Sequence, residues 1–130
     1  MQINSDTQLA AIAEKSIKET SYHLKWSSEW IIRLGDGTEE SNKRIKNALA
    51  DQWMFTGEMF VPASYELIDV SSLKEDWIKK VESIFSQAIL EVPKQTWMQS
   101  SGKEGKHTEH LGFLLTEMQY LQRTYPNSGW

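Results

Sequence analysis

The longest hydrophobic stripe of the sequence lies near its N-terminus. Between Leu9 and Leu34, apolar and small residues recur every three or four positions, which is the spacing of one face of an α-helix of about seven turns. His23 falls within this stripe and Glu19 on its flank. Gly35 is expected to end the helix in a left-handed cap, which only glycine adopts without strain. The stripe comprises Leu9, Ile12, Ala13, Ser16, Ile17, Thr20, Leu24, Ser27, Ile31 and Leu34.

The pattern predicts two further helices in the middle of the chain. Thr38, followed by two glutamates, supplies a hydroxyl cap and an acidic first turn for a helix that ends before Pro62. Ser72 and Glu75 form the S-x-x-E pattern of a capping box, which opens a third helix reaching about Leu90. The side chains expected to be buried are Ile45, Ala48, Leu49, Gln52, Thr56, Met59 and Phe60 on the second helix, and Leu73, Trp77, Val81, Ile84, Phe85 and Ala88 on the third.

A polar loop and a fourth helix complete the pattern. The loop, 94–106, contains Gly102 and Gly105 as helix breakers. Thr108 is expected to cap the fourth helix and Pro126 to end it. Strand-like alternation is almost absent, so the 130-residue chain is predicted to be a single all-α domain of about four helices. The stripe of the fourth helix is Leu111, Leu114, Leu115, Met118, Leu121 and Tyr125.

Composition narrows the possible functions. A formal net charge of -4 argues against a generic binder of nucleic acid or anionic membrane. No run of about eighteen apolar residues exists, and the start of the chain lacks a secretory signal. Cysteine is absent, which excludes disulfides and thiol chemistry and fits a cytoplasmic protein. Tryptophan is common in interfaces as well as in cores, so six tryptophans indicate a protein partner.

His23 is the first candidate for a metal ligand. Di-iron bundles use one glutamate from each of two helices and a Glu-x-x-His motif from each of the other two. Here Thr20 stands three positions before His23, and Glu19, four positions before it, is rotated by about 100° from the ligand position. The alternative, which we favour, is that His23 hydrogen bonds to Glu19 or Tyr22 within a polar layer of the core.

His107 and His110 form a second candidate pair, with Glu109 and Glu117 nearby. Zinc sites need three or four ligands and usually more histidine or cysteine than this stretch offers. We therefore prefer the interpretation that His107 and Thr108 shape the entry to the fourth helix, while His110 and Glu117 form a hydrogen-bond network at an interface.

Three lysines, Lys94, Lys103 and Lys106, precede the fourth helix in an otherwise acidic chain. The sequence from Gly102 to Lys106 lacks the spacing and the ending of a phosphate-binding P-loop. Two interpretations remain: a solvated loop, or an anion contact close to a helix N-terminus, which attracts negative charge.

Two stretches carry a resemblance to a known family. The first comprises Ile17-Lys18-Glu19, Tyr22-His23-Leu24, Trp30 and Arg33-Leu34-Gly35. The second, which is more specific, comprises Gly102-Lys103, Gly105, His107-Thr108-Glu109-His110-Leu111-Gly112 and Glu117-Met118-Gln119-Tyr120-Leu121-Gln122-Arg123. Together they resemble the PaaC family, the C subunit of the ring-epoxidising phenylacetyl-CoA oxygenase. The likeness extends over the whole chain, more weakly from 61 to 70.

The resemblance implies a ferritin-like helical bundle within a multicomponent bacterial monooxygenase. That system inserts one oxygen atom of O₂ into the ring of phenylacetyl-CoA, with electrons from NADPH through a separate reductase. A sister subunit carries the di-iron centre, so no cofactor is expected in this chain. The CoA thioester makes its phosphates the anion that Lys94, Lys103 and Lys106 would contact. The residues expected at the subunit interface are His107, Glu109, His110, Glu117, Gln119, Tyr120 and Arg123.

The resemblance covers only the C-terminal half of family members, so we expect a truncated or fragmentary member that lacks three bundle helices. An uncovered helix stripe costs ~25 cal/mol per Å² of apolar surface, and self-association, by helix exchange, is therefore expected. Three functions remain open: a non-catalytic structural subunit packed against the di-iron subunit, a di-iron oxygenase with its own metal site, and a self-associating fragment without activity.

Overall fold

The computed structural model of the chain describes residues 6–94 and 96–129, and this part is built from helices and turns. Its α-helices are α1 (Thr7–Gly35), α2 (Glu39–Gln52), α3 (Lys74–Gln87), α4 (His110–Met118) and α5 (Tyr120–Thr124). Short 3-10 turns follow α2, precede α3 and lie in the loop before α4, at Trp53–Phe55, Gly57–Phe60, Val70–Leu73 and Gly102–Glu104. The described residues contain no strand, so the predicted all-α class is confirmed.

The helix boundaries in the middle of the chain differ from the prediction. The predicted second helix gives way after Gln52 to 3-10 turns. α3 begins at Lys74, and the predicted capping box at Ser72 is wrong: the carboxylate of Asp69 accepts the N–H of Ser71 at 3.0 Å, one turn earlier. Leu73, expected in the core, is half exposed as a result.

The end of α1 lies where the sequence predicts, but for a different reason. Gly35 is itself helical, and Asp36, at φ -91°, follows it, so the predicted left-handed cap is wrong. Gly35 is buried against the end of α3, where a Cβ atom would stand 2.0 Å from the carbonyl oxygen of Ala88. The position therefore requires glycine because two backbones approach each other closely, and not because of an unusual φ.

The core lies around this contact. Two of its aromatic rings, Trp53 and Phe85, have centroids 6.1 Å apart, and the centroid of the partly buried Trp77 ring lies 5.7 Å from that of Trp53. Trp53 stands outside the predicted stripe, because the chain leaves the α-helix for a 3-10 turn at this residue. The buried members are Trp53, Ile84, Phe85, Ala88 and Leu90.

Two long helical surfaces remain outside this core. Every residue of α1 up to residue 27 is exposed, and so is every residue from 112 to 129. None of the helices in the described part is both long enough and apolar enough to cross a bilayer. The large exposed side chains of these surfaces are Leu9, Ile12, Ile17, Tyr22, Leu24, Trp26 and Trp30 on α1, and Phe113, Leu114, Leu115, Met118, Tyr120, Leu121 and Tyr125 on and after α4.

The contact at Gly35 generates a prediction with a matched control. Gly35→Ala should lower the free energy of unfolding by about 1–3 kcal/mol, because the methyl group forces α1 and α3 apart. Gly112→Ala, in α4, has no atom within 4 Å of its new Cβ and should leave stability unchanged or raise it by up to about 1 kcal/mol. Urea denaturation followed by circular dichroism measures both. Equal midpoints for Gly35→Ala and the unchanged chain would contradict the role of the contact.

Candidate functional site

An open groove of about 630 Å³ separates the end of α2 from the start of α4. This α4 groove is lined by Phe55 and Glu58, which follow α2, and by His107, His110 and Leu111 at the start of α4. The two predicted histidines therefore line the same groove as a glutamate and an aromatic ring from a distant part of the chain. The groove combines apolar surface with groups that can donate and accept hydrogen bonds.

The predicted interface residues all lie on α4, on α5 or just before them, and all are exposed. Within the described ranges, none of their side chains has a hydrogen bond or an ion pair inside the chain. The predicted cap at Thr108 is wrong: Glu109 occupies the cap position in helical conformation without a side-chain hydrogen bond. The predicted interface residues are His107, Glu109, His110, Glu117, Gln119, Tyr120 and Arg123.

Beside these polar residues, α4 and α5 carry an apolar face. Leu114 and Met118 are 55% and 65% exposed. We call the set Leu111, Leu114, Leu115, Met118 and Leu121 the α4–α5 face. Its residues recur at helical spacing, and a contiguous apolar patch rimmed by polar groups is typical of a protein interface.

The candidate metal ligands Glu19 and His23 lie on the exposed part of α1. Their side chains are 76% and 67% exposed, and His23 Nε2 stands 4.0 Å from Glu19 Oε1. The predicted placement of His23 in a buried polar layer is therefore wrong for this chain. In residues 6–94 and 96–129, no three histidine, cysteine, aspartate or glutamate residues come together.

The three candidate phosphate-binding lysines have different surroundings. Lys94 and Lys106 are exposed, whereas the side chain of Lys103 is 22% exposed. The Lys103 ammonium donates to Glu66 Oε1 and to the carbonyl oxygen of Val61, both at 2.7 Å. A phosphate contact stays a prediction for all three lysines, and at Lys103 it requires the ammonium to leave Glu66.

Lys103 is also held through its backbone. Its N–H donates to Glu58 Oε1 at 3.1 Å, and its carbonyl accepts the Tyr65 hydroxyl at 3.1 Å. The second carboxylate oxygen of Glu66 accepts the N–H of Ala63 at 2.8 Å. We call Lys103, Glu58, Tyr65 and Glu66 the Lys103 clamp. It joins the loop before α4 to the segment that follows α2.

Sequence reasoning missed this clamp. At helical spacing Glu58 lies away from the stripe predicted for the second helix, and the sequence around Glu66, from 61 to 70, shows no regular pattern. The partners are separated by 37 to 45 residues along the chain. Local patterns report neighbours on one helix, so they carry no signal for such a contact.

The clamp also sets the ionisation of Glu66. The hydrogen bond from Lys103 lowers the pKa of its carboxyl group below the ordinary value, and the N–H of Ala63 lowers it further. Partial burial opposes both effects. The carboxylate form is thus the one that the folded chain favours.

Fold and site together define a ferritin-like helical chain with an uncovered apolar helix face. Comparison with known proteins identifies the family. The chain belongs to the family described as phenylacetic acid catabolic protein, which matches residues 1–130. The C subunit of the 1,2-phenylacetyl-CoA epoxidase of Escherichia coli (strain K12) is 41% identical over 133 residues, which cover 96% of this chain and 54% of the relative. The chain spans about half the length of that relative.

The lowered pKa of Glu66 generates a prediction about acid stability. The stabilising effect of the carboxylate is present above its unfolded pKa of about 4.3 and is lost as the pH falls through the lower folded value. Glu66→Gln should therefore unfold at lower urea concentration than the unchanged chain at pH 7, and the difference should shrink towards zero as the pH falls below about 4. Glu82→Gln, an exposed change on α3, is the control. A difference that is independent of pH would contradict the ion pair.

Proposed function

We propose that this chain is a non-catalytic structural subunit of a phenylacetyl-CoA epoxidase complex in phenylacetate catabolism, and that it packs against the catalytic di-iron subunit. The observation that carries the proposal is the uncovered α4–α5 face, bordered by polar side chains without partners inside the described chain. The similarity to an epoxidase subunit indicates which kind of complex this chain would join. The absence of cysteine fits a cytoplasmic location for it.

Burial of apolar area would stabilise such an interface. Leu114, Met118 and Leu121 keep about half or more of their surface exposed. Covering a leucine or methionine fully stabilises by about 1.5–3 kcal/mol relative to leaving it in water. A partner helix laid along this face would gain that stabilisation at several positions, while His110 and Glu117 supply hydrogen bonds at its edge.

The donor set argues for assigning the oxidation chemistry to the partner. A di-iron site of the bundle type takes four carboxylates and two histidines that project inward. In the described chain, Glu19 and His23 are a single exposed pair. These residues do not fit a di-iron centre, so the proposal gives them no part in the reaction.

The same proposal assigns a limited role to the lysines. Lys106 lines the α4 groove and Lys94 is exposed, so both ammonium groups are accessible to the phosphates of a CoA thioester. Because the Lys103 ammonium is bound within the chain, it contributes less to this contact.

Co-purification with the catalytic di-iron subunit tests the proposed interface. The double variant Leu114→Ser, Met118→Ser should weaken binding by at least about tenfold, since about 1.4 kcal/mol of lost burial already accounts for that factor. Leu67→Ser is the matched control, because Leu67 is 67% exposed and lies outside the α4–α5 face. Undiminished binding by a folded double variant would exclude this face, and a failure of the unchanged chain to bind would exclude the proposed function.

The uncovered face of α1 leads to a prediction about the chain by itself. We expect it to self-associate, because Ile17 and Leu24 are 60% and 47% exposed on one side of the helix. Light scattering over a range of concentrations should show oligomers whose population falls in the variant Ile17→Ser, Leu24→Ser but not in Leu67→Ser. A well-folded monomer at high concentration would refute self-association.

A further inference from the structure

The Lys103–Glu66 pair differs from the other ion pairs in residues 6–94 and 96–129. Those pairs join residues three or four apart on one helix, and their side chains are half exposed or more. Exposed pairs of that kind contribute little to stability. The Lys103–Glu66 pair joins distant segments at 2.7 Å, with both side chains about one fifth exposed.

The backbone around Lys103 is shaped to direct the side chain inward. Ser101 and Gly105 have positive φ of 76° and 90°, and the N–H of Lys106 donates to the carbonyl of Ser101 at 2.9 Å. A Cβ on Gly102 would stand 2.8 Å from Glu58 Oε2. The turn is therefore closed on itself and fits closely against Glu58.

In the described residues, the loop before α4 makes few other contacts with the rest of the fold. The N–H of Gln99 donates to the carbonyl of Met54 at 2.9 Å, and Met98 packs against Gly57. The buried core ends at Leu90, and none of its members comes from 96–129. Attachment of α4 thus depends on polar contacts more than on buried apolar area.

We propose that Lys103 is a positioning residue: it fastens the segment 96–109, and with it α4, to the segment 58–66, so that the segment 96–109 opens as a unit of its own when the clamp is removed. Segments with little buried apolar surface open locally at lower free energy than the core. The clamp thereby fixes the α4 groove and the direction in which the α4–α5 face is presented. The consequence for partner binding rests on the proposed function, whereas the opening of the segment does not.

Amide hydrogen exchange on the full chain tests the inference. In Lys103→Met, which keeps the apolar stem and removes the charge, the amides of Gln99, Lys103 and Lys106 should exchange at least about tenfold faster. The amide of Leu90, which donates to Phe85 at the edge of the core, should exchange at an unchanged rate. Lys106→Met is the control, because it removes an exposed charge from the same loop.

A second variant keeps the test decisive if Lys103→Met does not fold. Glu66→Gln should accelerate the same amides, and the double variant should be no faster than Lys103→Met alone, since both changes remove one interaction. Rates within twofold of the unchanged chain at Gln99 and Lys103, or equal acceleration at Leu90, would overturn the proposal. Affinity for the di-iron subunit should fall about tenfold in Lys103→Met although Lys103 lies outside the α4–α5 face. If the unchanged chain does not bind that subunit, the proposed function fails while the exchange result still decides the clamp.

Discussion

The fold depends on one close contact, between the last residue of α1 and the residue after α3. Gly35 and Ala88 approach so closely that no side-chain atom fits between the backbones. This approach brings the ends of the two helices together, and Trp53 and Phe85 fill the space beside them. Close packing of this kind tolerates no added methyl group, because protein interiors are packed about as densely as organic crystals. The packing of this core is therefore closely constrained, although the core is small.

A small core anchors only part of the chain. α1 extends from it with residues 7–27 all exposed, and α4 is attached to the rest of the fold through the Lys103 clamp. The two large apolar surfaces are therefore held in place by different interactions. α1 is a continuous helix held at its end by packing, whereas α4 is held by charge and hydrogen bonds. A partner that covers the α4–α5 face would add the apolar contact that this attachment lacks.

The sequence predicts features that repeat locally and misses those that depend on distant residues. The existence of α1 and the polar loop before α4 follow from periodicity and helix breakers, because each residue in such a pattern reports on its near neighbours. The helix ends were less predictable, since Asp69 and Ser72 both carry side chains that can cap, and tertiary packing decides between them. The role of Gly35 was misassigned for the same reason: its constraint comes from Ala88, more than fifty residues away along the chain.

In the candidate site, too, local patterns predict some features and miss those that depend on distant residues. His110 and Glu117 are seven residues apart on α4, so helical geometry alone puts them on the same side of the helix, and both are exposed. For Lys103, charge and position left two interpretations open, a solvated loop or an anion contact, whereas in the folded chain the side chain forms an internal ion pair with Glu66. A lysine in a glycine-containing loop has the same sequence pattern whether it binds a phosphate or a carboxylate of its own chain. What separates the two cases is a carboxylate brought near by the fold, and here it comes from a stretch without any regular pattern. The role of this lysine-containing loop is therefore better judged by the acidic residues that fold against it than by its own sequence.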